Sequence, residues 1–124
     1  MSKAQIISTI DHDASVRVAL ESLIKPLGFV AFAVECAEDD FLRSPRVDDR
    51  SCLITEVQMQ GMSVLDLQDR LIAQGSRIPM IFITAFPEQN IRSRARASGA
   101  LGFVEKPFAG RTVIEFVSEA LAAR

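Results

Sequence analysis

Short apolar runs alternate along the chain with longer segments in which apolar residues recur every three or four positions. The short runs are IISTI (6–10), FVAFAV (29–34), CLIT (52–55), MIFIT (80–84) and LGFVE (101–105). They are rich in β-branched and aromatic residues and close to ordinary strand length, so they predict five strands. Between them, Val16, Leu20, Leu23, Ile24 and Leu27 fall at helical spacing, as do Val64, Leu67 and Leu71, and later Val113, Val117, Ala120 and Leu121. Each set marks the buried face of one helix. Three helices are expected to stop at a glycine just before a strand, at Gly28, Gly75 and Gly99, because glycine enters the left-handed conformation that closes a helix at little cost. Ser63 with Asp66 three residues on predicts an N-cap with capping-box character.

Two intervals carry weaker signals. AEDDFL (37–42) makes at most a two-turn second helix, followed by the polar, proline-containing loop RSPRVDDRS (43–51). PEQNIRSRARAS (87–98) offers a core only Ile91, Ala95 and Ala97 beside three arginines, so that helix should be the most loosely held. The strand–helix alternation predicts an α/β fold, a doubly wound (βα)5 domain with five parallel strands in the order 2-1-3-4-5.

Composition narrows the function. At 124 residues the chain is expected to form one domain over 1–124, large enough to fold without a metal or disulfide. Fourteen basic and 16 acidic residues give a net charge of −2, which supplies no attraction for nucleic acid or an anionic membrane. No apolar run approaches a membrane span, and MSKAQIISTIDHD lacks a signal-peptide core. A cytoplasmic location is the expectation. Cys36 and Cys52 have no metal or redox spacing and read as buried thiols.

Ligands of doubly wound sheets sit beyond the carboxyl ends of the strands, where the winding reverses between strands 1 and 3. The residues predicted there are Asp11, His12 and Asp13 after strand 1, Glu56 after strand 3, Thr84 after strand 4 and Lys106 after strand 5. Carboxylates facing a lysine and a hydroxyl suit an anion between cations, a divalent metal, or a closed cluster of ion pairs.

IDHDASVR (10–17), ITEVQMQGMSVLDL (54–67), IFITAF (81–86) and GALGFVEKPF (99–108) together resemble a response-regulator receiver domain, a flavodoxin-like fold, and most of all receivers of the nitrogen-fixation regulator type. The resemblance implies an acidic pair on strand 1 that binds Mg²⁺, and an aspartate ending strand 3 that accepts a phosphoryl group from a histidine kinase. It gives Thr84 and Lys106 contacts to the phosphoryl, Phe103 the role of an aromatic that reports the state, and Lys106-Pro107 a cis peptide bond. It also places the partner-binding and dimerising face on the fourth helix and strand 5, where Arg92 and Arg96 share a side of the helix.

The departures from that pattern matter. Glu56 stands at the phosphoacceptor position and His12 at the second acidic position, while Gln60 and Val64 replace the expected proline and glycine. Phosphoryl transfer is nearly all positioning, and a misplacement of about 1 Å, close to one methylene, is enough to cost on the order of a hundredfold. Mg²⁺ demands octahedral oxygen ligands, which an imidazole replaces poorly. Asp11, Asp13 and Glu56 are the expected metal ligands, binding Mg²⁺ only weakly; no firm cofactor is expected.

Several residues keep a plainer reading. Asp11 and Asp13 also suit an N-cap and a loop charge, and His12 a surface position. Glu56 either pairs with Lys106 and closes the pocket, or reaches toward the phosphoryl position and holds Thr84 and Lys106 in an activated arrangement. Thr84 also suits an ordinary strand end, Phe103 a core, and Arg92 and Arg96 a solvated face. The expected function is a degenerate receiver without enzymatic activity, a phosphorylation-independent interaction module for a protein partner: a histidine kinase, an output domain or a second copy. The alternative is a working receiver that binds Mg²⁺ and accepts a phosphoryl group. A flavin protein of the same topology is disfavoured, since the chain has no tryptophan or tyrosine and no glycine-rich phosphate loop after strand 1.

Overall fold

In chain order the elements are β1 (Ile6–Ile10), α1 (Ala14–Ile24) with a 3₁₀ turn (Lys25–Leu27), β2 (Val30–Val34), β3 (Arg50–Glu56), α2 (Val64–Ala73), β4 (Met80–Thr84), α3 (Gln89–Ala97), β5 (Gly102–Glu105) and α4 (Gly110–Ala122). This is a computed structural model, and it describes residues 5–35, 50–58, 62–76, 78–86 and 88–122. The predicted short helix at 37–42, Cys36 and Gln60 lie outside the described residues.

The five strands are all parallel and lie in the order β2-β1-β3-β4-β5, as the alternation predicted. β3 is longer than CLIT, because it starts at Arg50 and takes in Glu56 as its last residue. Successive β3 and β4 side chains go to opposite faces of the sheet. Leu53 and Phe82 join Val64, Leu67, Leu71 and Ala95 in the core beneath α2 and α3. Cys52, Ile54, Ile81 and Ile83 join Leu20, Ile24, Val113 and Val117 beneath α1 and α4. Burial on both faces explains why these strands read as continuous apolar runs and not as alternating ones.

The helix ends follow the sequence signals. Ser63 Oγ accepts from the Asp66 N–H at 3.1 Å. Gly75 and Gly99 have φ of 81° and 102°, and the following residues, Ser76 and Ala100, donate back to Leu71 and Ala95 at 2.9 Å, which satisfies carbonyls that the helix ends would otherwise leave open. α3 buries Ala95 alone, with Ile91 half-buried and Ala97 exposed. Arg92, for which the sequence left a solvated face and a partner surface open, is half-buried, and its guanidinium lies 5.5 Å from the Phe103 ring centroid.

Candidate functional site

The register of the sheet brings the polar strand ends together. Ile10 of β1 pairs with Thr55 of β3, so Asp11 and Glu56 emerge side by side. Glu56 pairs with Ile83 and Thr84 with Glu105, which sets Thr84 and Lys106 around the same pocket. Asp11, Glu56 and Thr84 are all buried, at 0 %, 3 % and 2 % exposure.

The ion pairs differ from the sequence expectation. Glu56 is held foremost by His12: the imidazole Nδ1 lies 2.7 Å from Oε1 and 2.9 Å from Oε2. The main-chain N–H of His12 donates to Oε1 as well, at 2.8 Å. Lys106 Nζ instead sits 2.8 Å from Asp11 Oδ2 and only 3.7 Å from Glu56 Oε2. The expected Glu56–Lys106 pair is thus the longer contact. The ammonium of Lys106 pairs first with the Asp11 carboxylate. The hydrogen bond to Glu56, and then its charge, raise the pKa of His12 above the ordinary 6.5. His12 is therefore a working partner in the pocket although its side chain is 60 % exposed. No spacing rule announces this contact, because it joins residues 44 apart in the chain.

Asp13 turns away from the cluster. Its Oδ1 accepts from the N–H and the hydroxyl of Ser15 at 2.9 and 2.7 Å, so it is the N-cap of α1, and those bonds lower its pKa. Asp11, Asp13 and Glu56 are the ligands expected from the sequence, but the set that converges is Asp11, His12 and Glu56, with one donor atom from each within 4.8 Å of the others. Asp11 Oδ1 accepts from the Asp13 N–H at 2.9 Å, and its carbonyl accepts from Arg17 at 2.7 Å, an anchor the sequence reading missed. An octahedral all-oxygen Mg²⁺ site does not fit this donor set, since an imidazole fills one corner and an ammonium faces Asp11.

The remaining predicted residues surround the cluster. Thr84 Oγ1 accepts from the Phe86 N–H at 3.0 Å, and the Thr84 carbonyl accepts from the Lys106 N–H at 2.7 Å. The Lys106-Pro107 bond is cis. Phe103 is half-buried on β5, with its ring 6.2 Å from that of Phe82. On the outer side of α3, Arg92, Arg96, Gln89 and Ser93 line a hollow of about 280 Å³. Val64, where the resemblance implies a glycine, is buried in the core.

Comparison with known proteins places this arrangement. The sequence pattern described as "Response regulator receiver domain" matches residues 7–118. The transcriptional regulatory protein TdiR of Thauera aromatica is 31 % identical over 119 residues, covering 96 % of this chain and 52 % of that protein. The transcriptional regulatory protein FixJ of Azorhizobium caulinodans is 31 % identical over 121 residues, covering 98 % of this chain and 57 % of that protein. The chain thus spans about half the length of these curated relatives. Among solved structures, the response regulator StyR superposes with a TM-score of 0.88 at 32 % identity, over 98 % of this chain and 61 % of that one. The crystal structure described as FixJ-N gives 0.83 at 27 % identity, over 98 % and 96 %. Among the described residues, no helix is long and apolar enough to cross a membrane.

Proposed function

This chain belongs to the response-regulator receiver family of two-component signalling, and from that premise we propose that it is a receiver that has given up acyl-phosphate chemistry at position 56 and works as a protein-interaction module. The observation that carries this reading is the double hold of His12 on Glu56. A carboxylate bound at 2.7 to 2.9 Å by both the imidazole and the main-chain N–H of one residue is fixed as an ion-pair partner. To attack phosphorus through either oxygen it would have to give up the imidazole contact, and through Oε1 the main-chain contact as well, while 3 % exposed. Its extra methylene and the imidazole beside it also spoil the positioning on which phosphoryl transfer depends.

The proposed partner surface is the outer side of α3 with β5, centred on Arg92, Arg96 and Phe103, and the partners are a histidine kinase, an output domain or a second copy of the chain. A mechanical route from the pocket supports it. Glu56 lies near Lys106, whose main chain is bonded to Thr84 on β4. Phe82 of β4 packs on Phe103, and Phe103 carries Arg92 of α3.

The test is incubation with acetyl phosphate and Mg²⁺, followed by intact mass measurement and hydroxylamine treatment. The mass should stay unchanged. A gain of one phosphoryl group that hydroxylamine removes, and that is lost in Glu56→Ala, would overturn the reading in favour of a working phosphoacceptor.

A further inference from the structure

We propose that the hollow between the carboxyl-terminal ends of α2 and α3 is a binding site for a small uncharged molecule with an apolar body and a primary amide, held through the side-chain carbonyl of Gln68. This goes beyond the interaction-module reading and does not rest on it. Three observations support it.

The first is a polar side chain where the pattern calls for an apolar one. α2 buries Val64, Leu67, Gln68 and Leu71, the spacing of a single helix face, and Gln68 is 3 % exposed. Its Nε2 donates to the Ala95 carbonyl of α3 at 3.2 Å. That bond fixes the sense of the amide, since turning it over would set two carbonyl oxygens against each other. Oε1 is left buried with no hydrogen bond to any described residue. An acceptor in that state gains more from a ligand's donor than an exposed one does, because its desolvation is already complete.

The second is the space beside it. Gln68 lines a hollow of about 560 Å³, within the usual range for small-molecule sites. Leu71, Ile72, Ile78 and Met80 give it apolar walls and Ser98 a hydroxyl. Leu71 and Met80 belong to the core, whereas Ile72 is 52 % exposed, so the floor is fixed and one wall is open to an entering molecule. Met80 begins β4 and Thr84 ends it. The hollow is therefore at the opposite end of the sheet from the Glu56 pocket, about 13 Å away along the strand at roughly 3.3 Å per residue.

The third is charge. Both helices close here, at Gly75 and Gly99, and helix carboxyl ends present carbonyl oxygens with partial negative charge. Together with Oε1 they turn away a carboxylate or phosphate. The last turns of the same helices carry Arg70, Arg94 and Arg96, which oppose a cation. A neutral N–H donor on an apolar body suits the hollow on both counts.

The probe is 2-naphthamide, titrated into the full chain and followed by proton–nitrogen NMR. It is compared with methyl 2-naphthoate, which keeps the rings and the carbonyl but has no N–H, and with 2-naphthoate, the anion. The amide should bind with submillimolar affinity, and the shifts should concentrate at the Gln68 side-chain amide and the main-chain N–H groups of Gly75, Ser76 and Gly99. The ester and the anion should each bind at least about tenfold more weakly, the effect of one hydrogen bond to a buried acceptor. Gln68→Met, close in length, should remove the preference for the amide over the ester, and Ile72→Gln, at an exposed position, should weaken both. The comparison of amide and ester in the parent chain needs no variant. Equal affinity of the two there, tighter binding of the anion, shifts centred elsewhere, or no saturation at millimolar amide would each overturn the proposal. So would an amide preference that survives in folded Gln68→Met, or affinities untouched by Ile72→Gln.

Discussion

Glu56 and Lys106, both at strand ends in one pocket, are not each other's closest partners: Nζ of Lys106 is 3.7 Å from Glu56 but 2.8 Å from Asp11, and Glu56 is bound instead by His12 at 2.7 Å. Two ion pairs share the pocket. The loop after β1 supplies one member of each, so a change there acts on both.

The His12–Glu56 pair makes stability pH-dependent with a definite sign. The folded-state pKa of His12 is raised above 6.5 by the Glu56 hydrogen bond. Its contribution is therefore fully present below the unfolded-state value and is lost as pH rises through the folded-state value. NMR titration of the imidazole, the only one in the chain, should give a pKa above the ordinary value that falls in Glu56→Gln, and thermal stability should drop across the same interval in the parent alone. An unshifted His12 titration would contradict the contact.

Removing the lysine exposes the cost of the second pair. Lys106→Met should destabilise the fold by about 1–3 kcal/mol, because it leaves the buried Asp11 carboxylate without its cation. Asp11→Asn combined with Lys106→Met should recover a good part of that loss. Urea denaturation of the two single variants and the double variant measures the coupling directly.

Placing aspartate at both positions, as the receiver resemblance implies, tests the proposed loss of phosphoryl chemistry. Glu56→Asp with His12→Asp should regain labelling by acetyl phosphate and Mg²⁺, since Thr84 and Lys106 remain in place. If this folded double variant stays unlabelled by mass spectrometry, the changes at Gln60 and Val64 have altered the segment after β3 too.

The two arginines of the proposed partner face should behave differently. Arg92→Ala is expected to cost about 0.5–2 kcal/mol, because the guanidinium is half-buried over Phe103. The exposed Arg96→Glu should stay within about 0.5 kcal/mol yet weaken self-association or partner binding in sedimentation experiments. Binding untouched by Arg96→Glu would place the interface elsewhere.

Ser63→Ala gives a local check on helix α2. Loss of the 3.1 Å bond to the Asp66 N–H should lower stability by about 1 kcal/mol in a denaturant titration. A neutral result would mean that water replaces the cap at no cost.

What the sequence by itself determined is local or periodic. Apolar runs marked the strands, helical spacing marked α1, α2 and α4, and Gly28, Gly75 and Gly99 marked the turns that close helices or the 3₁₀ segment, each with positive φ. A doubly wound sheet then leaves little choice about which strand ends meet, so Asp11, Glu56, Thr84 and Lys106 were legible as neighbours. Pairing inside the pocket was decided only by the tertiary structure. Whether Lys106 takes Asp11 or Glu56, whether His12 points out or folds back over β3, and whether Asp13 joins the cluster or caps α1 depend on side-chain reach and on competing hydrogen bonds a few ångströms long. The same holds for Arg92, for which the sequence left a solvated face and a partner surface open and whose guanidinium lies 5.5 Å from the Phe103 ring centroid on β5. Charge and spacing along a chain do not encode these choices, because each is settled by a comparison of partners that become neighbours only after the sheet has formed.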